Sequence, residues 1–120
     1  MATFTKQRLS GSTDGLAIKV TGTNSAGAVT VDTAVASTTV GTFDEIWLYA
    51  NNTSASAVKL TIEWGTATAA DGNIELTIAA EAGLVLVIPG LILQNSRVVK
   101  AFAGTADVIL LTGYVNAITA

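Results

Sequence analysis

The residues that could carry chemistry are few, and most are carboxylates. Asp44 and Glu45 are adjacent. In an extended strand neighbouring side chains point to opposite faces, so these two cannot share a proton. Glu63 and Glu75 fall in consecutive predicted strands, where they could approach as a pair. Two solvent-facing residues on a polar strand face explain them as well. Asp14-Gly15 and Asp71-Gly72-Asn73 resemble the openings of calcium loops. Neither is followed by the regular run of oxygen ligands such a loop needs, and ordinary turn chemistry accounts for both. The chain has no His and no Cys. A Ser-His-Asp triad, a thiol nucleophile, a disulfide framework and the usual zinc ligand sets are therefore excluded. No Gly-rich phosphate loop is present. The reading is that the protein is not an enzyme and has no catalytic, cofactor-binding or metal-binding residues.

The remaining composition concerns surfaces. Of 120 residues 50% are hydrophobic and only 12% are charged, about half the charged fraction of an ordinary soluble domain. Six basic residues against nine acidic ones give a net charge of −3. The six, Lys6, Arg8, Lys19, Lys59, Arg97 and Lys100, are scattered, so no footprint for a nucleic acid is visible. The longest apolar runs are far shorter than the roughly 20 residues of a membrane-spanning helix. The N-terminus lacks the apolar stretch of a secretory signal. The expectation is a chain made in a cytoplasm, with no membrane partner.

A length of 120 residues suits one domain. Apolar residues alternate with polar ones along most of it, the mark of half-buried strands. Strands are predicted at 16–21, 28–35, 44–51, 57–64, 73–79, 84–88, 91–94, 97–103 and 107–116, with turn signals between them. This pattern predicts an all-β fold, an antiparallel β-sandwich or jelly-roll-like barrel of about eight strands, over residues 13–120. Residues 1–12 lack the alternation and read as an N-terminal arm, either reaching onto a neighbouring subunit or frayed. Strands 44–51 and 57–64 are expected to form a hairpin centred near Ser54, with Leu48 opposite Leu60 and Ala50 opposite Val58. Ile46, Leu48 and Ala50 then face the core, and Trp47 and Tyr49 face away from it. A different register would put these two aromatics in the core instead. Residues 84–88 and 108–111 are continuously apolar and are expected to be buried on both faces. Pro89-Gly90 fits a type II turn. Gly113, inside a predicted strand, marks a bulge or the close approach of another backbone.

So few charges leave a small domain with an apolar surface that another chain is expected to cover. Candidates for that contact are Trp47, Tyr49, Trp64, Phe102 and Tyr114, with Phe4, Lys6 and Arg8 from the arm.

Several phrases carry a resemblance: the opening Thr3-Phe-Thr-Lys-Gln-Arg-Leu-Ser10, the blocks Asp44-Glu-Ile-Trp-Leu-Tyr-Ala50, Lys59-Leu-Thr-Ile-Glu-Trp-Gly65 and Val98-Val-Lys-Ala-Phe-Ala103, and the ending Leu111-Thr-Gly-Tyr-Val-Asn-Ala-Ile-Thr119. In these the chain resembles small virion structural proteins of tailed bacteriophages, especially marine ones, over nearly its whole length. The resemblance implies a capsid decoration (cement) protein located in the virion. It implies the major capsid protein or other virion proteins as partners, a homo-oligomer with a trimer favoured, and no cofactor. A head–tail connector or tail component is an alternative within the same class. A carbohydrate- or surface-binding β module using Trp47 and Tyr49 is the alternative from another class.

Overall fold

The computed structural model describes all 120 residues and is all-β. In chain order the strands are β1 (Thr3–Arg8), β2 (Ile18–Lys19), β3 (Val29–Thr33), β4 (Phe43–Asn52), β5 (Val58–Trp64), β6 (Asn73–Ile78), β7 (Val85–Leu93), β8 (Val98–Ala103) and β9 (Ile109–Thr119). They form two antiparallel sheets. One has the order β1-β9-β4-β7, with β2 also paired to β9, and the other has the order β3-β8-β5-β6.

The pairing is nested. The first strand pairs with the last, β3 with β8, β4 with β7, and β5 with β6. The chain is thus one long hairpin rolled over on itself. The β4–β9 and β5–β8 ladders join the rolled pairs into the two sheets. This is the wiring of a jelly roll, a β-sandwich whose successive strands cross between layers.

The core lies between the sheets. β4 contributes Ile46, Leu48 and Ala50, and β5 contributes Val58, Leu60 and Ile62. Val99, Ala101 and Ala103 of β8 and Ile109, Leu111 and Val115 of β9 complete its centre. Each is an alternate residue of its strand, as a one-sided sheet requires. Each fully buried Leu or Ile contributes about 1.5–3 kcal/mol through removal of its surface from water.

The expected 44–64 hairpin is not formed. β4 and β5 lie in different sheets, and the loop between them turns the corner of the sandwich. Buried Asn52 builds that corner: its Nδ2 donates to the carbonyls of Ser56 and Ile78, and its Oδ1 accepts from the Ser54 N–H. The inward residues of both strands are nonetheless those expected. Apolar alternation in the sequence identifies the inner face of a strand whichever strand lies beside it, although Thr61 and Glu63 on the outer face of β5 are buried too.

Residues 1–12 form no separate arm. Thr3–Arg8 pairs along β9 as an edge strand of the chain's own sheet, and Leu9 is buried in the core. The predicted strands 84–88 and 91–94 are one strand, β7. Pro89-Gly90 is no turn; Gly90 is an extra residue in the β4–β7 ladder, which shifts register between Ile46 and Trp47. Its φ is +77°, and a Cβ there would lie 2.7 Å from Cζ2 of Trp47, so only glycine fits beneath the indole. Residues 84–88 are not buried on both faces, since Leu84 and Leu86 are exposed. In 108–111, Ile109 and Leu111 are buried while Val108 and Leu110 are half-buried. Gly113 does meet another backbone: a side chain there would collide with the Trp47 carbonyl.

Candidate interaction face

Residues opposite one another in an antiparallel ladder share a face. The registers of the β1-β9-β4-β7 sheet therefore map its outer surface. Phe4, Ile118 and Phe43 form one row across β1, β9 and β4. The next outward row is Lys6, Asn116, Glu45 and Ile92. Then come Arg8, Tyr114, Trp47 and Pro89, followed by Thr112, Tyr49 and Leu86.

The centre of this face is organised by side-chain contacts. Trp47 and Tyr114 stack with ring centroids 6.2 Å apart and planes at 14°, a favourable offset arrangement. The Lys6 ammonium sits 4.3 Å from the Tyr114 ring centroid, in cation–π contact. The Trp47 indole N–H donates to Glu45 Oε1 at 2.8 Å, and Asn116 Nδ2 donates to the same oxygen at 3.0 Å. These two bonds, first that from Asn116, hold the Glu45 carboxyl below its ordinary pKa. Arg8 is tied back to its own chain, its Nε donating to the Ser12 carbonyl at 3.1 Å. The polar groups of the face are thus largely satisfied within it, which leaves apolar surface to be covered.

That surface is large. Phe4 is 70% exposed, Ile92 55% and Leu86 45%. Phe43, Trp47, Tyr49, Tyr114 and Ile118 are half-buried. At one margin the face runs into an open groove of about 440 Å³ lined by Val40, Phe43, Ile92 and Leu93. Gln94 fixes the loop along this groove by donating to the carbonyls of Thr39 and Thr42 at 2.9 and 2.8 Å.

Six of the eight sequence candidates, Phe4, Lys6, Arg8, Trp47, Tyr49 and Tyr114, come together on this face. Trp64 and Phe102 do not. Trp64 is opposite Val99 in register and packs against the core. Phe102 is opposite Thr61 in the other sheet. Phe43, Leu86, Ile92 and Ile118 belong to the face and were not among the candidates. The outward positions of β4 were legible in its alternation, but the strands beside it were not.

The carboxylates other than Glu45 fall elsewhere. Glu75 is exposed and paired with Lys59 at 3.3 Å, whereas Glu63 is buried. The close acidic pair is Asp32 with Asp44, both buried. Asp32 Oδ1 accepts from the Ser10 N–H at 2.8 Å. Asp32 Oδ2 is buried without a hydrogen-bond partner. Burial raises both pKa values, and the charge of Asp32 adds to the effect on Asp44, which is pushed up to about 6. No pattern in the sequence signals this pair, because the two residues belong to different sheets.

No helix is long and apolar enough to cross a membrane. In comparisons with protein-family models, with curated proteins and with solved structures, nothing matches this chain.

Proposed function

We propose that this is a virion structural protein of a tailed bacteriophage, a capsid decoration protein that binds the major capsid shell. The observation that carries the reading is the outer face of the β1-β9-β4-β7 sheet, where apolar and aromatic side chains surround a few internally bonded polar groups. Exposed apolar surface of this extent on a small domain marks a site of association. The jelly-roll wiring, which recurs in capsid proteins, supports it by analogy. The resemblance of the sequence to small phage structural proteins is the further ground for it.

In this reading the stacked centre of the face, Trp47 with Tyr114 and the neighbouring Ile92, packs between sibling subunits of a trimer. The exposed β1 edge with Phe4 meets the shell, where an unpaired strand edge can add main-chain hydrogen bonds to an apolar contact. The work is done by burial and complementarity, without a reaction.

The test is co-sedimentation with empty shells assembled from the major capsid protein of the same virus. The chain is expected to pellet with the shells saturably. Phe4→Ser should weaken binding by about tenfold or more, the scale expected of an apolar anchor at an interface. A chain that stays in the supernatant at every concentration contradicts the proposal.

A further inference from the structure

On the other sheet, one buried carboxylate has an oxygen with nothing to bind. Glu63 is 3% exposed. Its Oε2 accepts from the Ser25 hydroxyl at 2.6 Å, and its Oε1 is buried without a partner. Buried polar atoms are nearly always paired, so an orphan calls for a partner not made by the fold. Lys100 stands opposite Glu63 in the β5–β8 ladder, but the chain's ion pair is elsewhere, between Lys59 and Glu75.

Glu63 lines an open pocket of about 280 Å³ together with Thr66, Ser96, Arg97 and Lys100. A second hollow of about 380 Å³ adjoins it, sharing Gly65, Thr66 and Arg97 and adding Trp64. The Glu63 pocket thus combines, around a buried acceptor lacking a donor, two cationic side chains and two hydroxyls.

We infer that this groove binds a neutral sugar. An anionic ligand would suit Arg97 and Lys100 but would be repelled by the Glu63 carboxylate. A cation would suit Glu63 but would be repelled by the two basic residues. A hydroxyl group donates and accepts through one atom, so vicinal hydroxyls serve both kinds of partner at once. The Glu63 pocket alone is at the small end of ligand sites, which suits one sugar ring. The site is separate from the interaction face and does not depend on the virion reading.

The experiment is a ¹H–¹⁵N NMR titration of the full chain with glucose, galactose, mannose and N-acetylglucosamine. At least one sugar should shift the amides of residues 63–66 and 96–100 saturably. Lys100→Ala, an exposed position whose loss leaves the fold intact, should weaken that binding by about tenfold, as should Glu63→Gln, in keeping with loss of a hydrogen bond to a charged group. Trp47→Ala should leave it unchanged. The inference is overturned if no sugar shifts these amides at about 50 mM, a generous concentration for a millimolar site. It is equally overturned if Lys100→Ala binds like the parent chain, or if inorganic phosphate or a short peptide shifts the amides where sugars do not.

Discussion

Asp44 and Asp32 make the stability of this protein depend on pH in an unusual direction. An Asp whose folded pKa is raised holds its proton in the native state after the unfolded chain has released it. Its contribution to stability is present below the unfolded pKa and is lost as pH rises through the folded one. For Asp44 that window runs from the ordinary 3.8 to about 6. The protein should therefore lose stability between about pH 4 and 6 as the buried pair ionises. Asp44→Asn should flatten this slope and raise Tm at pH 7; a slope in thermal scans identical to that of the parent would contradict it. Gly113 makes a second prediction at the same scale. A methyl group there meets the Trp47 carbonyl on the neighbouring strand, and an overpacked site costs about 1–3 kcal/mol. Gly113→Ala should lower the urea midpoint accordingly, and an unchanged midpoint would show that the strands are further apart. The close approach at Gly113 was legible in the sequence, because a glycine inside an apolar strand has few other reasons to be there. The Asp32–Asp44 pair was not, because it is made by two strands from opposite layers.

The elements divide in the same way. The inner and outer residues of β4 and β5 could be read from their alternation, since which face is buried depends on the strand's own period. Their partners could not, because pairing depends on where the intervening loop leads, and the Asn52 corner sends it to the other sheet. Pro89-Gly90 looked like a turn because turns and bulges draw on the same residues for the same backbone angles. β1 was missed because all six of its residues are exposed, so burial imposes no alternation on them. This leads to a contrast that can be measured. Leu9, just beyond β1, is buried, and Leu9→Ala should cost about 2–5 kcal/mol by the cavity it leaves. Deleting residues 2–7 should remove only edge hydrogen bonds and leave a cooperative unfolding transition. Denaturant unfolding of the two variants checks this, and loss of the transition on deletion would show that β1 is integral to the core.

The whole molecule is elongated, with extents of 48 × 27 × 21 Å. Its two broad sides differ in kind. The outer surface of the β1-β9-β4-β7 sheet is rich in apolar side chains and built around stacked rings. The β3-β8-β5-β6 sheet carries the Lys59–Glu75 pair and the Glu63 groove. The scarcity of charge in the composition leads to the expectation of an interface, and the jelly-roll wiring decides which residues share each face. The proposed association buries this face between copies of the chain. Light-scattering mass of the purified chain over a hundredfold range of concentration, beside the Trp47→Ala variant, reads it out. The parent chain should be a trimer, and the variant should shift towards monomer by the equivalent of about 2 kcal/mol or more of lost association. A parent chain that remains monomeric throughout, or a variant with the mass of the parent, would contradict it.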